Sequence, residues 1–372
     1  MADLRAQFAA IGGEIRDAID EVLASQRFIL GPQLEALEHE MARYCERRFA
    51  VGVASGTDAL MLGLRACGVQ PGDEVILPAF TFLATAGAVI AAGARPVFAD
   101  SDAQTLTIDP QSVRSLLSPR TTAILAVHLY GGAAELPPLL DLASRHGLML
   151  LEDNAQSLGA TLGGKKLGSF GAFAATSFYP SKNLGAYGDA GMIFTDSESI
   201  AQRACRLRNH GQTGRYISGE AGWNSRLDEI QAAILRVKAR YLDRWIAARR
   251  LRAARYDQRL AVLQGIRTLG PLPNSFQSYY LFTVIIPSEG RDPAERRDHV
   301  ARHLASQGIE TSIFYPLPLH LQPAFASFGG KPGQLPAAER AAHEVLSLPL
   351  YPEISEEQID RVADCVAEAL RS

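Results

Sequence analysis

One lysine of this chain lies in a segment whose small residues could leave space for a ligand beside its amine. Lys182 is part of the run from Ser177 to Gly191, in which most other residues are small. Small side chains leave space next to the amine, and glycine allows a planar ligand to approach the backbone closely. A partly desolvated lysine can form a Schiff base with a carbonyl group. An ordinary surface lysine in a loop is the alternative, and this segment alone does not exclude it.

A carboxylate follows an apolar run in the middle of the chain. The run Leu148–Glu152 predicts a strand, and Asp153 lies at its end. If the strand is buried on both faces, a carboxylate there is costly unless a cation pairs with it. Asp153 could therefore hold a cationic ligand group. A structural ion pair or a helix cap would explain the residue equally well.

A third segment could bind an anion. Gly56 and Thr57 lie between a predicted strand, Phe49–Val53, and a predicted helix, Thr57–Cys67. Glycine permits a tight turn there, and the first amides of the helix, with the Thr57 hydroxyl, would face outward at the positive end of the helix dipole. Alone, the pattern is also that of an ordinary helix cap.

Together these segments suit one cofactor. They supply a phosphate cradle, a buried carboxylate and a lysine nucleophile, which are the groups that pyridoxal phosphate requires for its phosphate, its ring nitrogen and its aldehyde. A further segment, Gly222–Ala233, looks by itself like the capped start of a helix. We therefore expect an enzyme that uses pyridoxal phosphate.

The same segments resemble those of the DegT/DnrJ/EryC1/StrS family of nucleotide-sugar aminotransferases. The matching runs extend over nearly the whole chain and include residues 27–32, 78–85, 152–156 (Glu-Asp-Asn-Ala-Gln), 177–185 (Ser-Phe-Tyr-Pro-Ser-Lys-Asn-Leu-Gly) and 315–320. Related dehydratases carry histidine at the position of Lys182, so the lysine favours transamination.

The resemblance implies roles around the cofactor ring. Lys182 would form the Schiff base and act as general base and acid, and Asp153 would keep the pyridine nitrogen protonated. Gln156 would contact the phenolic oxygen, and Phe82 would stack on the ring. Lys182 and Asp153 are therefore the expected catalytic residues.

The resemblance also implies a phosphate site and a dimer. Gly56, Thr57 and Ser177 would bind the phosphate of the chain's own cofactor. Asn224 would reach the cofactor phosphate of the neighbouring subunit. We therefore expect a homodimer with shared active sites.

The substrates implied are glutamate as amino donor and a nucleotide-linked keto sugar as acceptor. The run from Trp223 to Lys238, with Tyr315 and His320, is most similar to members that act on dTDP-linked 3-keto-6-deoxyhexoses and form 3-amino sugars. Tyr315 and His320 are the candidate substrate contacts, although a packed aromatic and a loop histidine are plain alternatives. A UDP-linked or 4-keto sugar, another chemistry of the same cofactor and a non-catalytic protein remain open.

The elements that must position these residues are visible as alternating patterns. Short apolar runs predict seven strands, at Phe49–Val53, Val75–Leu77, Pro96–Ala99, Ala123–His128, Leu148–Glu152, Ala172–Phe178 and Met192–Thr195. Helical patterns lie between them, at Thr57–Cys67, Thr85–Ala92 and Pro137–His146. This alternation predicts an α/β fold with a mostly parallel sheet, whose ligands gather at the carboxyl ends of the strands. The resemblance implies fold type I, that of aspartate aminotransferase.

The remaining third of the chain predicts a smaller α+β domain. A long helix or helix pair is expected from Ser225, as its cap, to about Leu260. Beyond it we expect strands and helices at Tyr280–Ile286, Glu310–Phe314, Pro293–Ser306 and Ser355–Leu370. We place a large cofactor-binding domain at 1–245 and a small domain at 246–372.

Composition argues against several other classes of protein. The formal charge is -3, from 37 Lys+Arg and 40 Asp+Glu, so neither nucleic acid nor an anionic membrane is an expected partner. The four cysteines are scattered, which favours a reducing compartment, and the start of the chain does not look like a secretory signal. A cytoplasmic enzyme is therefore expected.

Two motifs resemble sites but fail on detail. Residues 159–166 approach a phosphate-binding P-loop, yet Lys166 stands where a hydroxyl should bind magnesium. His299 and His303 are one helical turn apart without an evident third ligand. We therefore expect neither an NTPase nor a metal site.

Overall fold

A large sheet forms the centre of the computed structural model, which describes residues 3–288 and 292–371. Its strands are β1 Phe49–Val53, β2 Glu74–Pro78, β3 Arg95–Ala99, β4 Thr121–Val127, β5 Met149–Asp153, β6 Ala174–Ser177 and β7 Gly191–Thr195. Their order is β1-β7-β6-β5-β4-β2-β3. The strands from β6 to β3 are parallel, and β7 is antiparallel to both β1 and β6. The predicted α/β fold with a mostly parallel seven-stranded sheet is confirmed.

The strands form here because their apolar runs are covered on both faces. Ile124, Leu125 and Leu151 on the central strands are fully buried. Continuous apolar runs are typical of parallel strands that lie between two helical layers. Each of the seven predicted strands ends within two residues of the observed one.

Helices cover the sheet and build the rest of the chain. They are α1 Leu4–Ser25, α2 Pro32–Tyr44, α3 Gly56–Ala66, α4 Leu83–Ala91, α5 Pro110–Leu116, α6 Leu136–His146, α7 Glu198–Leu207, α8 Glu229–Ala239, α9 Leu242–Leu260, α10 Glu295–Ser306, α11 Pro336–Glu344 and α12 Glu356–Arg371. Short 3₁₀ turns occur at Leu129–Gly131, Leu319–Leu321 and Pro323–Phe328. Among the described residues, no helix combines the length and apolarity needed to cross a membrane.

The predicted long helix is the pair α8 and α9, but its predicted cap was wrong. Helix α8 begins at Glu229, and Asp228 precedes it without a side-chain capping bond. Ser225 instead donates its hydroxyl to the Asp58 carboxylate at 2.7 Å. The Ser225 hydroxyl therefore connects the segment that precedes α8 to the first turn of α3.

A buried carboxylate connects α8 to the N-terminal helices. Glu229 is 1% exposed and accepts hydrogen bonds from the backbone amides of Gly31, Gln33 and Leu34 at 2.8–2.9 Å. These amides begin α2 and have no intrahelical partner. Glu229 thus caps a helix that lies almost 200 positions earlier in the chain.

The C-terminal part has its own core. Two further strands, β8 Phe282–Ile285 and β9 Val345–Leu348, pair antiparallel, and Arg267–Thr268 pairs with β8. The predicted strand at Glu310–Phe314 was wrong, because an isolated bridge between Ser312 and Ser347 is the pairing found there. The segment instead runs to the cavity described below.

Helix α9 belongs to both parts of the molecule. Trp245 and Ile246, near its start, pack in clusters of the large domain, whereas Tyr256 and Leu260 pack in the core of the small one. The predicted boundary between residues 245 and 246 therefore falls inside one continuous helix. The division of the chain at that point stays a prediction.

Candidate active site

A cavity of about 550 Å³ lies at the carboxyl ends of β4, β5 and β6. The structure brings most of the predicted site residues into its wall, namely Gly56, Thr57, Phe82, Asp153, Gln156, Ser177, Lys182 and Tyr315. Tyr280, Phe314 and Tyr315 close it from the side of the small domain. Residues from most of the chain length therefore meet at one sheet edge.

Lys182 lies in the loop that joins β6 to β7. Its backbone N–H donates to the Tyr179 carbonyl at 2.8 Å, and the Ala186 N–H donates to the Phe178 carbonyl at 2.8 Å. Across residues 3–288 and 292–371, the Lys182 amine has no hydrogen-bond acceptor and no ion-pair partner. The amine is therefore free to react with a ligand in the cavity.

A second lysine supports this loop from behind. Lys238 on α8 is buried, and its amine donates to the Gly185 carbonyl at 2.7 Å. Burial lowers the pKa of Lys238 to about 8. Gln231, also on α8, accepts from the Tyr187 N–H at 2.9 Å. Helix α8 therefore fixes the loop on the side opposite the cavity.

Asp153 ends β5 as a buried carboxylate facing the cavity. Its Oδ2 accepts from the Thr85 hydroxyl at 3.0 Å, and its Oδ1 accepts from the Ala155 N–H at 3.1 Å. Burial raises the pKa of Asp153, and these two hydrogen bonds partly offset the increase. In the described part of the chain, no cationic side chain forms an ion pair with this carboxylate. The alternative of a structural ion pair is therefore not supported.

Sequence reasoning did not identify Thr85 as a site residue. It lies in the first turns of α4, and its hydroxyl is 3.3 Å from that of Thr81. The available signal was a pair of threonines four residues apart, with Thr81 just before the start of α4 and Thr85 in its first turn, where their hydroxyls meet.

The neighbouring segment orients an amide. Gln156 Oε1 accepts from the Tyr130 N–H at 2.8 Å, so its Nε2 must point the other way, where it donates to the Tyr315 hydroxyl at 2.9 Å. Burial raises the pKa of Tyr315, so this hydroxyl stays protonated at neutral pH. Gln156 therefore presents hydrogen-bond donors at the cavity wall.

The start of α3 forms a cradle with β6. Ser55 caps the helix by accepting from the Asp58 N–H at 3.1 Å, but the amides of Gly56 and Thr57 meet no acceptor among the described residues. A Cβ added at Gly56 would lie 2.6 Å from the Cβ of Ser177. Glycine is therefore required there, and two free amides face the cavity beside a serine hydroxyl.

An aromatic side chain covers the cavity from the other side. Phe82 is 48% exposed although it is a large apolar residue, and its ring centroid lies 5.9 Å from that of Tyr315. An exposed phenylalanine in a cavity wall offers a flat surface to a planar ligand. This position agrees with the predicted stacking role.

Two predicted site residues lie elsewhere. Asn224 is exposed and outside the wall of the chain's own cavity. His320 is buried in the turn Leu319–Leu321, where its Nε2 lies 3.1 Å from the Glu339 carboxylate. The structure therefore does not bring His320 to the cavity, and the loop-histidine interpretation describes its position.

The residues present fit pyridoxal phosphate. The two free amides beside Ser177 suit a phosphate, the unpaired carboxylate of Asp153 suits a protonated ring nitrogen, and Lys182 suits an aldehyde. Phe82 and Gln156 would hold the ring and its phenolic oxygen. The fold and the cavity together define an enzyme of fold type I that uses pyridoxal phosphate.

The comparisons with known proteins agree with this class. Residues 9–367 match the DegT/DnrJ/EryC1/StrS aminotransferase family, and the chain belongs to that family. Its predicted assignment as an aminotransferase that uses pyridoxal phosphate is thereby confirmed.

Similar proteins cover the chain from end to end. A pleiotropic regulatory protein of Geobacillus stearothermophilus is 46% identical over 100% of this chain and 98% of its own. A dTDP-3-amino-3,4,6-trideoxy-alpha-D-glucose transaminase of Streptomyces venezuelae is 45% identical over 98% and 94%. The crystal structure of S. venezuelae DesV in complex with a ketimine intermediate has a TM-score of 0.95, at 44% identity and with 100% and 98% of the two chains covered. Similarity to these proteins in sequence and in structure therefore extends over nearly the whole chain.

Proposed function

We propose that this enzyme moves an amino group from glutamate to a dTDP-linked 3-keto-6-deoxyhexose and forms a 3-amino sugar. The observation that carries the proposed site is the free amine of Lys182, which shares one cavity with the buried, unpaired carboxylate of Asp153. The choice of sugar is supported by the name of the Streptomyces venezuelae transaminase. The choice of glutamate is supported by the family resemblance.

The chain's own residues divide the work around the reacting carbon. When bound, pyridoxal phosphate supplies an electron sink for the carbanion formed at the Cα of the amino donor. Lys182 Nζ would take the proton from that Cα and deliver it to the C4′ carbon of the cofactor, on the other side of the shared nitrogen. In the second half of the reaction, the same amine would move a proton from the cofactor's C4′ to the sugar carbon that carried the keto group.

Asp153 maintains the electron sink. Its carboxylate would accept a hydrogen bond from the protonated ring nitrogen, and burial would strengthen that charge-assisted bond. The amides of Gly56 and Thr57 would hold the phosphate, so the reacting atoms would stay in reach of Lys182, which lines the same cavity. Phe82 and Tyr315 exclude water from one side of the cavity.

We also propose a homodimer in which Asn224 reaches the partner's cofactor phosphate. Asn224 is exposed and outside its own cavity. In the segment between α1 and α2, Phe28, Ile29 and Leu30 are 38–44% exposed, and Ile29 forms a bridge with Asp228, four residues after Asn224. Exposed apolar residues in one run support an interface there. The cysteines are free, which supports a cytoplasmic location.

The deciding experiment has two parts. First, the protein is reconstituted with pyridoxal phosphate, treated with borohydride and digested, and the mass gain should fall on the peptide that contains Lys182. Second, the protein is incubated with glutamate and a panel of dTDP- and UDP-linked keto sugars, and products are identified by mass spectrometry and NMR.

We expect a dTDP-3-amino sugar and, with glutamate alone, the pyridoxamine form of the cofactor. A colourless protein without a mass gain at Lys182 would contradict the proposed site. Amination of UDP-linked or 4-keto sugars alone would contradict the proposed substrate, and loss of water or racemisation without amine transfer would contradict the reaction.

A further inference from the structure

Tyr280 lies in the small domain, yet its ring forms part of the cavity wall. The ring centroid is 4.1 Å from Lys182 Nζ, and the hydroxyl is 3.3 Å from the hydroxyl of Ser181. On the other side of the lysine, Asn183 donates to the Ser278 carbonyl at 3.1 Å. Three consecutive residues of the lysine loop therefore contact one short segment of the small domain.

That segment is fixed by two arginines of α9. Arg249 is buried, and its Nη1 donates to the carbonyls of Tyr279 and Tyr280, both at 3.3 Å. Arg250 donates to the Gln277 carbonyl at 3.0 Å. Because the backbone of Tyr280 is held on the helix side, its ring cannot easily move away from the lysine.

The Lys182 amine contacts the aromatic ring of Tyr280. Within the described residues, Lys182 Nζ has no hydrogen-bond acceptor and no carboxylate within ion-pair distance. The Asp153 carboxylate acts on the amine by longer-range electrostatic attraction, whereas the Tyr280 ring lies at cation–π distance. An aromatic ring attracts an ammonium ion and has no such attraction for a neutral amine. Contact with the Tyr280 ring therefore favours the protonated Lys182 amine over the neutral amine.

We infer that Tyr280 is a positioning residue whose ring holds the Lys182 amine in its protonated state, between taking a proton from one carbon and returning it to another. The inference rests on the proposed role of Lys182 in proton transfer. Tyr280 acts through the lysine, and its ring rather than its hydroxyl carries the effect.

The variants separate ring from hydroxyl. Tyr280→Phe keeps the ring and loses the contact with Ser181, whereas Tyr280→Leu loses both. Tyr280→Met serves as a second ring-free variant should the leucine variant not fold. Phe328→Leu is the matched control, because it removes a ring that lies 5.4 Å from the guanidinium of Arg95, outside the cavity wall.

The first measurement follows the amine directly. The full-length protein is loaded with pyridoxamine phosphate, which leaves the lysine amine uncombined, and is treated with acetyl N-hydroxysuccinimide ester. Mass spectrometry then gives the rate of acetylation at Lys182. Since only the neutral amine reacts, the ring-free variants should be labelled about 2- to 30-fold faster than wild type. Tyr280→Phe and Phe328→Leu should be labelled at the wild-type rate.

The second measurement is the half-reaction with glutamate, followed by stopped-flow absorbance. The ring-free variants should react more slowly by a similar factor, at an unchanged half-saturating glutamate concentration, and Tyr280→Phe should retain the wild-type rate. A merely structural role for Tyr280 would change thermal stability without changing the acetylation rate.

Equal acetylation of the ring-free variants and wild type would overturn the inference, as would equal effects of Tyr280→Phe and Tyr280→Leu. Failure of the proposed function looks different, because wild type itself would then carry no cofactor on Lys182.

Discussion

Replacing Thr85 by valine tests how the Asp153 carboxylate is kept ionised inside the protein. Thr85 and the Ala155 N–H each donate one hydrogen bond to it, at 3.0 and 3.1 Å. Valine has almost the shape of threonine but no donor, so the carboxylate would keep one of these two bonds. In the wild-type structure the Thr81 hydroxyl contacts that of Thr85 rather than Asp153, so Thr81 could replace the lost donor only by moving.

The expected loss follows from that one bond. A hydrogen bond to a charged group contributes about 1.5–3 kcal/mol, which corresponds to roughly 10- to 150-fold in an equilibrium. Burial already raises the pKa of Asp153, and losing a donor to the ionised form raises it further. Asp153 would then stay protonated up to a higher pH, and a protonated carboxyl cannot pair with the ring nitrogen.

The acid limb of the pH–rate profile should therefore move to higher pH in Thr85→Val. On that limb, kcat/KM should fall by roughly 10- to 150-fold, and the loss should shrink toward alkaline pH. The assay is kcat/KM for glutamate from about pH 5 to pH 9. Thr283→Val is the control, because Thr283 is also buried and its hydroxyl is bonded to that of Ser347 at 2.8 Å, but it does not line the cavity.

If the profiles of Thr85→Val and wild type superimpose, the hydroxyl does not sustain the carboxylate and the reasoning fails. If the two valine variants lose activity equally at every pH, the effect is one of stability alone.

Three further outcomes are expected. Glu152→Gln removes a negative charge that accepts hydrogen bonds from His128 and three backbone amides. The free energy of unfolding in urea should therefore fall by about 3–5 kcal/mol. An unchanged midpoint of urea unfolding would contradict this expectation. Gly56→Ala should weaken cofactor binding in an absorbance titration by about 5- to 150-fold through its clash with Ser177; a wild-type Kd would contradict the cradle. Lys182→Ala and Asn224→Ala should each lack activity, and mixing them should restore about a quarter of it if sites are shared; no recovery would speak against sharing.

The parallel core was predictable because its signal is local. Strands such as β4 and β5 are covered on both faces, so their residues form uninterrupted apolar runs. Three of the site residues, Lys182, Asp153 and Gly56, follow strands whose carboxyl ends lie at the same edge of the sheet. The predicted alternation of strands and helices therefore also predicted that these residues lie close together.

The groups around those residues could not be predicted, because distant contacts decide them. Thr85 is 68 positions from Asp153, and Tyr280 is 99 positions from Ser181. Nothing in the local pattern of either residue indicates its partner. From sequence alone, one expects a threonine in a helix or a tyrosine before a strand to have an ordinary packing role.

Closeness in sequence was misleading at the small domain. Tyr315 and His320 were expected to share a substrate site, but only Tyr315 lines the cavity. His320 lies within the 3₁₀ turn Leu319–Leu321, where its imidazole is directed toward Glu339. A spacing of five residues therefore does not by itself place two side chains in the same site.

The Glu229 carboxylate has a practical consequence for protein engineering. Removing the chain through Leu34, or grafting the first two helices from a relative with a different length, would leave a buried negative charge without its three amide donors. Chimaeras of this enzyme should therefore exchange the N-terminal helices and α8 as one block, even though they stand at opposite ends of the large domain's sequence.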